Sequence, residues 1–177
     1  MGQKDGCRRP SANGIVYAGS GKAFGAYNGK TGDAVWLNKG WPQGEATTST
    51  PLLTNGVVIS GANWRGFYGN DAQTGELLWK LGKDGITDRG ATPACDGNLL
   101  YVTSRQSLFI IDCHSGEVIV RKELPFNVQV NSTPLVTDKL IVFGTQTDGL
   151  VALDRETFEV RWKARTSPAL VYTAPYS

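Results

Sequence analysis

Asp71-Ala72-Gln73-Thr74-Gly75-Glu76-Leu77-Leu78-Trp79 decides the reading of this chain, because versions of it recur from one end of the sequence to the other. The other copies are Asn28-Gly29-Lys30-Thr31-Gly32-Asp33-Ala34-Val35-Trp36, Asp112-Cys113-His114-Ser115-Gly116-Glu117-Val118-Ile119-Val120 and Asp154-Arg155-Glu156-Thr157-Phe158-Glu159-Val160-Arg161-Trp162. They start 43, 41 and 42 residues apart. A proline, usually preceded by Thr, keeps the same period at Pro10, Pro51, Pro93, Pro134 and Pro175. Two markers in phase argue against chance, and a period of about 40 to 45 residues falls in the range of four-stranded propeller blades.

Helical repeats of similar period are excluded. Each unit consists of short β-branched and aromatic runs punctuated by Gly, Asn, Asp and Pro, with no stretch of helical periodicity. In the second unit, strand a is predicted over residues 49–53, strand b over 57–60, strand c over 66–70 and strand d over 77–81. Asn55-Gly56 and the Asp71-to-Gly75 segment are the hairpin signals, since Gly accepts positive φ and the Asp side chain hydrogen-bonds the backbone two residues on. Asp71, Thr74 and Gly75 therefore read as turn chemistry, as do Asn28, Thr31 and Gly32, Asp112, Ser115 and Gly116, and Asp154 and Thr157. Trp36, Trp79 and Trp162 fall on the outermost strand, where a ring can wedge between blades. Burying most of an indole is worth at most about 4 to 6 kcal/mol, enough to make it a main fastener.

These residues resemble the pyrroloquinoline-quinone-type (PQQ-like) propeller repeat, whose signature is Ala-x-Asp-x-x-Thr-Gly-x-x-x-Trp, and the resemblance runs in four copies over nearly the whole chain. It implies an all-β propeller of four-stranded antiparallel blades. The approximate repeats are 8–48, 49–90, 91–131 and 132–172, with 173–177 starting another. The repeat occurs in quinoprotein dehydrogenases, in outer-membrane assembly scaffolds and as an appendage to other catalytic domains. Departures from it are Gly69 and Ile110 for Ala, Ser115 for Thr, Val120 for Trp and Phe158 for the turn Gly. Phe resists positive φ, so the fourth turn is expected to differ, and the third blade to be less firmly fastened beside Val120.

Four units account for nearly all of the 177 residues. Three arrangements remain open: a fragment of a larger ring, a half-ring that pairs with a second copy, and a closed ring of four. An open half-ring exposes blade faces and edge strands, so self-association is expected of the chain alone. The net charge of +2, with one His and no Lys/Arg cluster, does not argue for nucleic acid or an anionic membrane. No apolar run approaches 18 residues, so no membrane-spanning helix is predicted. The first residues lack the apolar core of a signal peptide, and neither Gly2 nor Cys7 has the context for lipidation. Periplasmic or envelope residence is implied by the resemblance alone. Cys7, Cys95 and Cys113 have no disulfide or zinc spacing; Cys95 is expected as a small buried hydrophobe and Cys113, in a turn, as exposed.

Variable loops are where function is expected. The b–c turns are Ser20-Gly21-Lys22, Asn63-Trp64-Arg65, Ser104-Arg105-Gln106 and Thr145-Gln146-Thr147. Trp64 beside Arg65 has no role in the repeat and suits a hot spot for a partner, or a sugar-like or peptide ligand; the plainer alternative is a side chain folded over its own blade. With the d–a connections on the same face, two readings stay open for Trp41, Trp64, Arg65, Arg89 and Arg105: one aromatic and cationic surface, which would favour binding over catalysis, or ordinary solvated loops.

Catalytic features are weak. The quinoprotein resemblance implies an adjacent cysteine pair, calcium-coordinating carboxylate and amide groups and an Asp base, whereas the cysteines here are isolated. His114 has no second His or Cys pair beside it, and no cofactor or metal is expected. The reading is a non-catalytic scaffold or interaction propeller that binds a protein, an extended ligand or further blades through its loops; the rival is a portion of a PQQ-dependent dehydrogenase.

Overall fold

The structure is a computed structural model that describes residues 11–20, 23–37, 47–62, 64–82 and 85–165. Sixteen strands among them make four antiparallel sheets, each a simple meander. The first holds β1 (Ser11–Ala12), β2 (Ile15–Ser20), β3 (Ala23–Asn28) and β4 (Ala34–Leu37). The second holds β5 (Leu52–Thr54), β6 (Val57–Ala62), β7 (Gly66–Asp71) and β8 (Leu77–Leu81). The third runs β9 (Ala94–Asp96), β10 (Leu99–Ser104), β11 (Ser107–Asp112), β12 (Val118–Glu123). The fourth runs β13 (Leu135–Val136), β14 (Leu140–Gly144), β15 (Leu150–Asp154), β16 (Val160–Ala164). The predicted strands of the second unit agree closely, except that β5 begins three residues later than expected.

Every turn between the third and fourth strands is built alike. Asp71 Oδ1 accepts the Gln73 and Thr74 N–H groups at 3.0 and 2.7 Å, the Gly75 N–H returns to the Asp71 carbonyl at 2.8 Å, and Gly75 has φ +77°. Each hairpin carries a register shift in its third strand just before this turn, at Ala26/Tyr27, Gly69/Asn70, Ile110/Ile111 and Ala152/Leu153. The loop is a four-residue hairpin connection, residues 72–75 in the second blade, closed by a left-handed residue beside the register shift. Phe158 does not change it, contrary to expectation. With φ +59°, it donates its N–H to the Asp154 carbonyl at 2.9 Å, and Asp154 Oδ1 caps Glu156 and Thr157 at 2.9 and 2.8 Å.

The middle strands of the second blade are buried on both faces, and alternation divides them between two seams. Val58 joins Tyr17 and Trp36 of the first blade, while Val57 and Ile59 join Leu100 and Ile111 of the third. A further cluster unites Tyr101, Leu108 and Phe126 with Ile141, Phe143 and Leu153. Each cluster thus bridges successive blades, and among the described residues none joins the first to the fourth.

Two seams are closed by tryptophan. Trp36 lies on Gly75 of the next blade, where an added Cβ would stand 2.5 Å from the indole, and its Nε1–H reaches the Ala72 carbonyl at 3.1 Å. Trp79 lies on Gly116 in the same way and donates to the Cys113 carbonyl at 2.8 Å. Opposite each ring stands a small cross-strand partner, Ala26 for Trp36 and Gly69 for Trp79. The third seam inverts the sizes. Val120 faces Ile110, and Phe158 of the fourth blade packs on the same cluster as Val120. Arg155 adds an ion pair to Asp96 at 2.5 Å and a hydrogen bond to the Tyr101 hydroxyl at 3.0 Å. The weak seam expected beside Val120 is therefore refilled from its neighbours.

Two cysteine expectations are corrected. Cys113 is free but fully buried, because Trp79 of the preceding blade and the core beneath cover the turn that carries it. Cys95 is only partly buried and is disulfide-bonded, to a partner that is not among the described residues. Cys7 lies outside the described residues.

Candidate functional site

Three of the residues singled out from sequence meet at one cleft. Trp64, Arg89 and Arg105 line it with Thr87, Gln106 and Asn127, around a volume of about 550 Å³. They come from the b–c turn of the second blade, the connection into the third blade and the b–c turn of the third. All three have left-handed backbones without being glycine, at φ +61°, +45° and +55°. Such residues are uncommon and cost of order 1 kcal/mol or more each, and they gather at ligand sites when the surrounding structure holds them.

That support is visible. The Arg105 carbonyl accepts the Val128 N–H at 2.7 Å and the Arg89 carbonyl accepts the Asn131 N–H at 3.2 Å. Thr87 is tied to Ser104 by backbone and hydroxyl contacts at 3.2 and 2.8 Å. Trp64 donates its N–H to Thr48 Oγ1 at 3.4 Å, and its indole stays half exposed, at 51%. Neither Arg89 nor Arg105 is committed to a carboxylate among the described residues. An exposed indole and two unspent guanidinium groups offer a face for stacking and forked donors for carboxylates.

Arg65 does not join them. It lines a separate groove of about 800 Å³ between the second and third blades, with Tyr68, Lys80, Ile86, Phe109 and Arg121. Trp41 and its connection, residues 38–46, lie outside the described residues, as do Gly21, Lys22 and Asn63. Sequence reasoning did not nominate Thr87 or Asn127, although both sit in connections whose phase against the repeat already placed them on this face. Leu124 and Phe126, in the connection that follows β12, are buried core.

Beneath the cleft sits Asp88, fully buried. One carboxylate oxygen accepts the Thr48 hydroxyl and the other has no partner. Burial pushes its pKa above the usual carboxylate range, against the opposing pull of Thr48 and of backbone N–H groups. No sequence signal distinguished it from the solvated acids of the loops.

The turn acids behave oppositely. Asp71 and Asp112 are held below the usual range first by the backbone N–H of Thr74 and Ser115, and Asp154 by that of Thr157 and by Arg161. His114 lies in the Asp112 turn, its N–H on Asp112 Oδ1 at 3.0 Å. Among the described residues no three His, Cys, Asp or Glu side chains gather as a metal site, and no helix is long and apolar enough to cross a membrane. The residues present do not fit a quinone held by an adjacent cysteine pair, since Cys113 is sealed in a seam and Cys95 is oxidised.

Comparison with known proteins agrees with this architecture. The chain is 28% identical over 147 residues to the dehydrogenase subunit of a quinone-dependent alcohol dehydrogenase from Gluconobacter oxydans, a match covering 67% of this chain and 19% of that protein. It superposes on BamB from Moraxella catarrhalis with a TM-score of 0.67 at 17% identity, covering 84% of this chain and 49% of that one. On the quinohemoprotein alcohol dehydrogenase ADHIIG of Pseudomonas putida the TM-score is 0.66, again at 17% identity, covering 85% and 33%. The chain thus spans about a fifth of the curated relative and half or less of these solved propellers. At such identities the superpositions speak for the fold. The family model described as outer membrane protein assembly factor BamB matches residues 2–89 and 71–175, and the chain belongs to that family.

Proposed function

We propose that this chain is a non-catalytic propeller segment that binds a protein of the bacterial envelope through the cleft of Trp64, Arg89 and Arg105. The observation that carries this reading is their convergence from three separate loops, each held in a conformation that favours glycine yet bearing a large side chain. The family's description as an outer membrane assembly factor supports a protein partner and a periplasmic setting. The ligand chemistry that suits the cleft is an extended segment with a carboxylate for the guanidinium groups and an apolar or aromatic side chain for the indole.

The test places a photo-crosslinking amino acid at position 64 in the expressed chain, with Leu78 on the outer rim as control. A discrete adduct from position 64, absent at 78 and lost when Arg89 and Arg105 become Ala, is the expected result. Adducts that ignore both arginines would remove the cleft from consideration. Trp64→Ala is expected to weaken the partner by about 2 kcal/mol, roughly thirtyfold, with circular dichroism unchanged.

A second reading rests on the 147-residue match to the quinone-dependent dehydrogenase subunit. In that reading the chain is one part of an enzyme whose cofactor channel is completed elsewhere. Titration with PQQ and calcium separates the two, because a saturable absorbance change in this chain would favour the dehydrogenase.

A further inference from the structure

The connections leading out of the second and third blades are equally long, with 14 residues from Trp79 to Pro93 and from Val120 to Pro134, yet they fill their seams unequally. In the third, Leu124, Phe126 and Val128 alternate inward and join the cluster between the third and fourth blades. Phe126 packs on Phe143 with ring centroids 5.9 Å apart, and the Lys163 ammonium lies 5.5 Å from the centre of its ring. At the same count the second connection carries Lys83, Gly85 and Thr87. Of its described residues only Ile86 enters the cluster between the second and third blades, and a Cβ on Gly85 would meet nothing within 4 Å.

What is left open is the groove of about 800 Å³ that Arg65 borders, a volume within the usual range of ligand sites. Leu81, Ile86, Phe109 and Val118 give it apolar walls, and the charged residues among its described lining, Arg65, Lys80 and Arg121, are all cations. Arg121 is held in place. It pairs across the strands with Phe109, as Lys163 pairs with Val151, and its guanidinium lies 5.7 Å from the centre of the Phe109 ring. Its Nε and Nη2 stand 3.2 and 3.1 Å from Glu123 Oε1, which also accepts the Ser107 hydroxyl at 3.1 Å. Its Nη1 has no acceptor among the described residues.

We propose that this groove receives an aromatic side chain from an extended segment of a partner protein, seated against Ile86 and Phe109 beneath Arg121 as Phe126 is seated in the third seam beneath Lys163. The chain's own connection shows what such a seam accepts: apolar side chains two residues apart, one of them a ring under a cation. Charge complementarity adds an acidic residue beside the ring, for Arg121 and Arg65. This is a second surface, since the groove and the cleft of Trp64, Arg89 and Arg105 share no lining residue.

The probe is a synthetic peptide with the sequence of residues 122–128, acetylated and amidated, titrated into the 177-residue chain by calorimetry. Saturable binding at one site is expected. Phe126→Ala in the peptide is expected to weaken it at least about tenfold, and Glu123→Gln in the peptide up to about fivefold. In the protein, Val118→Trp lays an indole across the groove and is expected to cost at least about tenfold. Arg121→Gln removes the cation over the ring and is expected to cost about three- to tenfold; it carries the test alone if Val118→Trp fails to fold by circular dichroism. Replacing Trp64, Arg89 and Arg105 with Ala leaves the peptide's affinity unchanged. No binding to the parent chain, binding indifferent to the peptide's Phe or to the changes at 118 and 121, or binding lost with the cleft residues would each overturn the proposal. So would a dimer of the parent chain that Val118→Trp dissociates, because a second copy would then occupy the groove.

Discussion

Asp88 is the residue whose surroundings conflict most with its chemistry. Buried, with one oxygen unpartnered, it holds a proton in the folded chain at pH values where the unfolded chain, titrating near 3.9, has released it. The folded state then binds more protons than the unfolded one, so this residue's contribution to stability falls as pH rises from about 4 until the folded carboxyl itself ionises. Asp88→Asn keeps the shape and an acceptor for Thr48 and removes the charge. Its urea midpoint is expected to match the parent near pH 4 and to exceed it increasingly toward neutrality; a constant offset would show that Asp88 does not titrate in this range. The turn acids set the opposite slope. Their depressed pKa values stabilise the fold above the ordinary carboxylate range, and that contribution is lost as pH falls.

The hairpin between third and fourth strands is both a turn and a bearing surface, and comparing its Gly75 with Gly56, in the turn between the first and second strands, separates these roles. Gly56 and Gly75 share φ +77°, but a Cβ on Gly56 meets open space and one on Gly75 would sit 2.5 Å from Trp36. Gly56→Ala is expected to cost about 1 kcal/mol from backbone conformation alone. Gly75→Ala adds displacement of the indole, about 1 to 3 kcal/mol more, visible as the difference between the two denaturation midpoints. Equal losses would mean that the ring does not bear on the turn. Phe158 shows why the two roles can be exchanged between partners: the turn accepts a ring when the strand across the seam surrenders its own, as Val120 does.

Blades that touch only their neighbours make stability a sum of units and seams. Three seams join the four described sheets. Any self-association would make thermal stability depend on protein concentration through mass action; a melting temperature independent of concentration would show that the chain melts as a monomer.

The sequence alone determined the repeat, the four strands of each unit and the turn that joins the last two, because Asp or Asn, Thr or Ser and Gly act through bonds that span five residues or fewer. It also placed Trp36 and Trp79 on the strand where a wedge belongs. Tertiary structure decided whatever depended on the neighbouring blade. Cys113 reads as a surface turn residue until Trp79, 34 residues earlier, covers it. Phe158 reads as a disrupted turn until Val120 and Ile110 are seen to have changed size with it. Trp64, Arg89 and Arg105 meet because stacked blades bring successive connections to one end, whereas Arg65, one residue from Trp64, turns to another groove. Local hydrogen bonding is written in consecutive residues, while packing across a seam depends on positions some forty residues apart.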